Sequence, residues 1–143
     1  MLESAKRIMV VDDEEDAAIV IKRGLESRGF VVDAFNNAED ALINFRPGIY
    51  DMLITDIRMP VKTGFDLHHE IRKKDEKIRI ALMTAYDIHE KDFRKMFKNI
   101  DVTCFLKKPI SLSHLTVRIN EELVGLEIRA KQQHTLYEKP IIH

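Results

Sequence analysis

Short apolar segments alternate five times with longer amphipathic segments, and this alternation restricts the possible folds more than any other feature. The apolar segments are too short for core helices and rich in β-branched and aliphatic residues, which is typical of strands. Strands are predicted at residues 8–11, 30–35, 52–54, 78–83 and 102–106, and helices at 14–28, 38–45, 64–74 and 89–98. A last helix, capped by Ser111 or Ser113, is predicted to continue through Gly125. The regular alternation indicates one parallel sheet with helices on both faces, a doubly wound α/β fold.

Four of the predicted strands end on residues that carry chemistry. Asp12 and Asp13 follow the first strand, Asp56 the third, Thr84 the fourth and Lys108 the fifth. The carboxyl ends of parallel strands share one edge of the sheet, which is where ligands bind in open α/β folds. We therefore expect these five side chains to converge, although they are far apart in sequence.

Three carboxylates at one edge repel one another unless a cation neutralises them. Carboxylate oxygens and water are the ligands that Mg²⁺ prefers, and no His or Cys stands at these strand ends to favour a softer metal. An aspartate beside Mg²⁺ can act as a nucleophile on phosphorus and form an acyl phosphate. Lys108 could then neutralise the phosphoryl oxygens, and Thr84 could donate a hydrogen bond to them.

Taken one at a time, these residues have simpler explanations. Asp56 could open a solvated turn before Pro60, and Asp13 could complement the positive end of the following helix dipole. Lys108 alone fits an ordinary surface lysine, and Thr84 alone an ordinary strand end. Only their joint placement at one edge favours a common site.

Composition narrows the class of protein further. The 143 residues suit one domain with its own core, and 23 basic residues against 24 acidic ones give a net charge of -1. This balance predicts no binding to nucleic acid or to an anionic membrane surface. Cys104 is the single cysteine, which excludes an intrachain disulfide. With no signal peptide pattern and no long apolar segment, the expected location is the cytoplasm.

Four short motifs at the strand ends carry a family resemblance. They are VVDD at 10–13, DIRMP at 56–60 with Gly64 following, MTA at 83–85 and KKP at 107–109. In this order and spacing they closely resemble the receiver domain of two-component response regulators, of the chemotaxis-regulator type, over about residues 6–122. The resemblance implies a flavodoxin-like (βα)₅ fold with strand order 2-1-3-4-5.

The resemblance also implies a role for each motif residue. Asp56 is expected to be the phosphoacceptor, and Asp12 and Asp13 to hold Mg²⁺ together with Asp56 and the main-chain carbonyl of Arg58. Lys108 is expected to contact the phosphate, and its peptide bond to the following proline to be cis. The implied protein is a signalling switch rather than an enzyme, with intrinsic autophosphorylation and autodephosphorylation chemistry.

The same resemblance pairs Thr84 with an aromatic switch residue, Phe105. Because Phe105 lacks the hydroxyl of the more usual tyrosine, its inward and outward rotamers are expected to differ by packing alone. Arg58, Ala85 and Tyr86 are expected to border the phosphate, where the bulky Arg58 and Tyr86 restrict the attacking water and prolong the phosphorylated state.

The implied mechanism is a shift of population on phosphorylation. This shift changes how tightly a downstream output protein or domain binds to the face formed by the fourth helix, fifth strand and fifth helix. The implied phosphodonor is a sensor histidine kinase or a phosphotransfer protein.

Three rival interpretations each account for part of the pattern. A haloacid-dehalogenase-like phosphatase also phosphorylates an aspartate at a strand end, but it requires a second aspartate where this chain has Arg58. A flavodoxin-like flavin binder needs a phosphate loop after the first strand, and the acidic DDEED at residues 12–16 would repel phosphate. A degenerate receiver that serves only as an interaction module is disfavoured because every motif position is filled.

The resemblance ends near residue 122, which divides the chain into a receiver domain at 1–122 and a C-terminal helical extension or linker at 123–143. Apolar spacing continues weakly to Tyr137, and Pro140 stops any helix. A terminal helix that frays or tucks back and a coiled-coil linker that forms a homodimer both fit this pattern. A stand-alone regulator and a receiver cut from a longer regulator are equally compatible with it.

Overall fold

A five-stranded parallel sheet forms the centre of the protein. The structure, a computed structural model, describes residues 5–85 and 104–123. The strands are β1 (Arg7–Val11), β2 (Val31–Phe35), β3 (Met52–Asp56), β4 (Arg79–Thr84) and β5 (Cys104–Lys107). They lie in the order β2-β1-β3-β4-β5, and every neighbouring pair is parallel. Both the doubly wound class and the predicted strand order are confirmed.

Helices connect the strands, and most of them begin at a residue suited to capping. The helices are α1 (Glu15–Glu26), α2 (Ala38–Asn44) and α3 (Gly64–Lys74), with a further helix at residues 112–123. The side chain of Asn37 accepts a hydrogen bond of 2.8 Å from the Asp40 N–H at the start of α2. Of the two serines considered as the cap of helix 112–123, Ser111 accepts the N–H of His114 at 3.1 Å. Such caps satisfy main-chain donors that would otherwise lack partners.

The sheet separates two apolar cores, because alternate strand residues point to opposite faces. On one face α2 and α3 cover a core that includes Met9, Leu53 and Leu82. On the other face α1 and helix 112–123 cover a core that includes Val10 and Ile54. Each face of the sheet is therefore covered by a pair of helices.

The residues predicted at helical spacing in α1 are Ala17, Val20, Ile21, Gly24 and Leu25, and of these Ile21 and Leu25 are buried. Ala18, Ile21 and Leu25 are buried, whereas Val20, which shares the apolar spacing, is 66% exposed. Val20 lines a cavity next to the strand ends and does not pack over the sheet. Apolar spacing marks a broad stripe on a helix, and only its centre faces the sheet here.

Some predictions concern residues outside the described ranges. They are the helix at 89–98, the first residues of the fifth strand, Tyr86, and the segment at 124–143. The described part of β5 begins at Cys104, two residues after the predicted start.

Candidate functional site

Asp12 and Asp56 lie side by side because they end the two central strands. β1 and β3 are neighbours, with Val11 opposite Thr55. Asp12 is completely buried and Asp56 is 8% exposed, whereas Asp13 is exposed at the rim. Each of the three residues offers a carboxylate oxygen, and these oxygens lie within 4.8 Å of one another. The predicted convergence of carboxylates is therefore present in the structure.

Lys108 brings a cation to these carboxylates from the other side of β4. Its Nζ donates to Asp12 Oδ2 at 2.7 Å and to Asp56 Oδ2 at 3.1 Å. The preceding residue, Lys107, is exposed at the end of β5. The Lys108-Pro109 peptide bond is cis, as expected. The structure thus selects Lys108, not its neighbour, as the lysine of the site.

Main-chain hydrogen bonds hold the ends of the strands in place. The N–H of Ile57 donates to Met83 O at 3.0 Å, and the N–H of Lys108 donates to Thr84 O at 2.8 Å. At the start of α1, the N–H of Glu14 donates to Asp12 Oδ1 at 3.0 Å. One oxygen of Asp12 therefore faces the helix and the other faces Lys108.

Burial and neighbouring charges shift the pKa values of Asp56 and Lys108. Burial raises the pKa of Asp56 more than the hydrogen bond from Lys108 lowers it, and the charges of Asp12 and Asp13 add to the rise. Burial alone would lower the pKa of Lys108, but its hydrogen bonds to Asp12 and Asp56 raise it. Lys108 therefore stays protonated. The negative charges of the carboxylates outnumber its single positive charge.

The donor set fits a divalent cation with oxygen ligands. Three carboxylates and one ammonium group leave two formal negative charges at the site. All of the side-chain atoms offered are oxygens, which suits Mg²⁺ rather than Zn²⁺ or copper. A bound divalent cation would neutralise the remaining charge, so the residues present are compatible with Mg²⁺.

The remaining predicted residues surround this centre at different depths. Thr84 ends β4 and is 5% exposed, and Ala85 after it is exposed. The side chain of Arg58 is exposed next to Asp56. Phe105 is partly buried against the core beneath α2 and α3. Tyr86, predicted at the same rim, lies outside the described residues.

A cavity of about 690 Å³ opens beside the carboxylates, between α1 and the segment after β5. Its polar lining includes Asp12, Glu14 and Lys108, and its apolar lining includes Val20 and Ile110. Asp12 and Lys108 therefore lie beside a cavity whose lining is partly apolar and partly acidic.

Two features of the loop after β3 were not anticipated from the sequence. Val61 has a positive φ of 68°, and the N–H of Lys62 donates to Pro60 O at 2.8 Å across it. Valine disfavours this conformation, so its sequence gives no signal for it. Gly64 lies directly against the main chain of Asp56, and the signal for this contact is the place of Gly64 after DIRMP in the receiver-like motif.

A sequence model of the response regulator receiver domain matches residues 8–120. Among curated relatives, the transcriptional regulatory protein RprY of Bacteroides fragilis is 28% identical over 132 residues, which are 92% of this chain and 55% of RprY. The aerobic respiration control sensor protein ArcB of Escherichia coli is 30% identical over 117 residues, 82% of this chain and 15% of ArcB. The chain thus spans about half of the length of RprY and a small part of ArcB.

Solved structures agree with this match. The non-phosphorylated receiver domain of HemR from Leptospira biflexa is 26% identical with a TM-score of 0.73, covering 82% of this chain and 94% of that domain. The response regulator TrrA of Thermotoga maritima, solved in complex with Mg²⁺-BeF, is 31% identical with a TM-score of 0.69, covering 82% of this chain and 99% of TrrA.

The chain belongs to the response regulator receiver domain family. It is a receiver domain of two-component signal transduction, a phosphoacceptor signalling domain rather than a conventional enzyme. Receiver domains bind Mg²⁺ and interact with histidine kinases or phosphotransfer proteins and with output domains. This membership decides against the phosphatase alternative, in agreement with Arg58. Within residues 5–85 and 104–123, no helix has the length and apolar character needed to cross a bilayer.

Proposed function

We propose that Asp56 is the phosphoacceptor and that it takes a phosphoryl group from the phosphohistidine of a histidine kinase or phosphotransfer protein. The observation that carries this proposal is the shared contact of Lys108, 2.7 Å from Asp12 and 3.1 Å from Asp56. It supports Asp56 as the acceptor because Asp56, unlike Asp12, keeps some exposure to an incoming donor.

In the transfer step, a carboxylate oxygen of Asp56 attacks phosphorus and a P–O bond forms. The P–N bond of the donor breaks, its electron pair stays on the imidazole nitrogen, and solvent supplies any proton that the nitrogen takes up. Phosphoryl transfer depends mainly on position and on neutralising the phosphoryl oxygens. Lys108 already lies within hydrogen-bond distance of the attacking carboxylate, so its ammonium group can follow the charge onto the phosphoryl group.

The residues proposed to hold Mg²⁺ are Asp12, Asp13, Asp56 and the main-chain carbonyl of Arg58. When bound, this ion supplies positive charge to the phosphoryl oxygens. Asp12 is the residue best fixed for the purpose, since it is completely buried and its second oxygen is held by Glu14 N–H. Asp13, at the exposed rim, completes the acidic pair.

We propose that Thr84 and Phe105 form the switch. The Thr84 hydroxyl donates to the new phosphoryl group, and the loop after β4 follows. Phe105 then changes its packing against the core that it partly contacts here. This shifts the population of a face formed by the fourth helix, β5 and the helix after it, where an output protein or domain binds.

Arg58, Ala85 and Tyr86 are proposed to border the phosphoryl group. The exposed Arg58 side chain stands two residues after the acceptor, where it can restrict the approach of water. We expect Arg58→Ala combined with Tyr86→Ala to speed dephosphorylation severalfold. An unchanged rate of phosphate release would contradict this role.

The proposed setting is the cytoplasm, where histidine kinases or phosphotransfer proteins present their phosphohistidines, and the proposed partners exclude nucleic acid and membrane. We retain the division into a receiver domain at residues 1–122 and a helical extension or linker at 123–143, with a homodimer as one use of the latter. Size-exclusion chromatography with and without beryllofluoride tests the homodimer: an elution volume that does not change, and that matches one chain, rejects it.

The function is tested by incubating the protein with Mg²⁺ and acetyl phosphate and measuring its intact mass. We expect one phosphoryl adduct in the wild type, none in Asp56→Asn, and none when a chelator removes Mg²⁺. Asp51→Asn is the matched control, because Asp51 is an aspartate at the opposite edge of the sheet that accepts a hydrogen bond from Arg7 N–H at 2.8 Å. An unmodified wild type, or equal modification of Asp56→Asn, would reject the proposal.

A further inference from the structure

Gly64 begins α3 and lies against the main chain that carries the acceptor. A Cβ atom built on Gly64 would lie 2.8 Å from the Cα of Ile57 and closer still to the carbonyl oxygen of Asp56. Real Cβ atoms essentially never approach other heavy atoms within 3.0 Å. Because the obstructing atoms belong to the main chain, no side-chain rotation can make room for a methyl group.

Hydrogen bonds fix this close approach from both sides. The N–H of Gly64 donates to Ile57 O at 2.7 Å, and the N–H of Ile57 donates to Met83 O at 3.0 Å. On either side of Gly64, Thr63 and Asp66 form a capping box, in which each side chain accepts the N–H of the other residue. The start of α3 is therefore braced against the end of β3.

A second glycine shows why the obstructing atoms matter. A Cβ atom on Gly24 would also be too close to its neighbours, but those are the side-chain atoms of Leu112. The end of a leucine side chain can rotate away, whereas the carbonyl group of Asp56 cannot move without moving its own carboxylate. The two glycines are thus constrained by different kinds of neighbour.

We propose that Gly64 is a positioning residue for phosphorylation: its missing side chain lets the start of α3 brace the Asp56–Ile57 main chain, which aims the Asp56 carboxylate at Asp12 and Lys108. This inference rests on the proposed role of Asp56. A methyl group at position 64 displaces the end of β3 or the start of α3 by several tenths of an ångström. Catalytic geometry is sensitive to such shifts, since misplacement by about 1 Å can cost about 100-fold in rate.

The experiment compares Gly64→Ala with Gly29→Ala. Gly29 has a φ of +94°, and a methyl group added there would meet no atom within 4 Å, so alanine strains the backbone far from the acceptor without steric contact. Three quantities are measured for each variant and the wild type: the melting temperature, the Mg²⁺ dissociation constant by calorimetry, and the rate of adduct formation with acetyl phosphate.

We expect both variants to melt at lower temperature, but only Gly64→Ala to lose function. Its adduct formation should slow by about tenfold and its Mg²⁺ affinity should weaken by about tenfold, because positioning groups around a metal have effects of this size. A folded Gly64→Ala with wild-type rate and Mg²⁺ affinity would overturn the positioning role alone. So would equal losses of rate in both variants.

If Gly64→Ala does not fold, Thr63→Val provides the decisive variant, because it removes half of the capping box and leaves Gly64 in place. A slower adduct rate and weaker Mg²⁺ binding in Thr63→Val support the proposal, and unchanged values overturn it. A wild type that forms no adduct rejects the role of Asp56 itself, and the inference about Gly64 with it.

Discussion

Buried or half-buried aspartates lie toward both edges of the sheet, but their hydrogen-bond partners differ. At the carboxyl edge, Asp12 and Asp56 share one cation, Lys108, and Asp13 adds a third carboxylate to the same cluster. Toward the amino edge, Asp33 and Asp75 each have more than one donor. The difference lies in how many donors the fold supplies per carboxylate.

Two aspartates toward the amino edge each accept hydrogen bonds from several donors. Asp33 Oδ2 accepts from Arg7 Nη1 at 2.9 Å and from the Tyr50 hydroxyl at 2.7 Å. Asp75 accepts three main-chain N–H groups, from Gly48 at 3.0 Å, Lys77 at 2.9 Å and Ile78 at 3.1 Å. Carboxylates held in this way have little capacity left for a ligand.

Residue type alone therefore does not distinguish a structural aspartate from a reactive one. An aspartate whose oxygens are occupied by fixed donors stabilises the fold, whereas one that shares a lysine with a second carboxylate can exchange it for another cation. The contrast between the edges can be tested by removing, in turn, the shared cation, a fully paired carboxylate and a single donor.

Removing the shared cation should have the largest effect. We expect Lys108→Gln to slow adduct formation with acetyl phosphate by about 100-fold, since deleting one charge-stabilising donor in an active site costs about that much. Lys107→Gln removes the same charge one residue earlier from an exposed position and should leave the rate within about twofold. Equal rates in the two variants would show that the position of Lys108 is irrelevant.

Removing a fully paired carboxylate should affect stability rather than chemistry. Asp75→Ala should lower the free energy of unfolding by about 1–2 kcal/mol at pH 7, because three N–H groups lose their anionic acceptor. Water that hydrogen-bonds to these N–H groups in the variant limits the loss. Urea unfolding measures this loss, with Glu76→Ala, an exposed neighbour, as control. The adduct rate per folded molecule should not change, and a slower rate would contradict the division between the edges.

The stability that Asp75 contributes should depend on pH. Burial opposes the charged form of Asp75, but the hydrogen bonds from Gly48, Lys77 and Ile78 outweigh it and lower the pKa below 3.8. Its stabilising contribution is therefore complete above pH 3.8 and disappears as the pH falls through the lowered value. The difference in stability between wild type and Asp75→Ala should shrink in that acidic range.

The smallest effect is expected at Tyr50. Burial, together with the hydrogen bond to Asp33 and its negative charge, raises the pKa of Tyr50 from 10.0 to about 12. The contribution of the neutral phenol is complete below pH 10.0 and is lost as the pH rises through about 12. Tyr50→Phe should cost about 1 kcal/mol at pH 8 and show a weaker alkaline loss of stability. An identical alkaline profile would show that Tyr50 does not titrate with folding.

Much of this site could be predicted because strand periodicity and edge chemistry are local signals. An apolar segment that stops at Asp12, Asp56, Thr84 or Lys108 predicts where a strand ends and which reactive side chain stands at that end. Parallel topology then brings those ends together. The convergence of the carboxylates with Lys108 follows from these signals, whereas the strand order is implied by the resemblance of the four motifs to receiver domains.

What sequence could not supply depends on three-dimensional neighbours. Asp12 and Asp13 are adjacent and chemically identical, yet one is completely buried and the other exposed. The donors of Asp75 include Gly48, which lies 27 residues away, and no local pattern announces that pairing. The contact of Gly64 with Asp56 is likewise a matter of packing, since turn chemistry accounts for a glycine there equally well.

The position of β5 in the sheet has a consequence for motion. β1, which Asp12 follows, and β3, which ends at Asp56, are paired on both sides, whereas among the described strands β5 is paired only with β4. Sheets open from their outer strands first, so the amides at residues 104–107 should exchange with deuterium sooner than those at 52–56. Because Lys108 directly follows β5, we expect its contacts with the carboxylates to break more often than the pairing of β1 with β3.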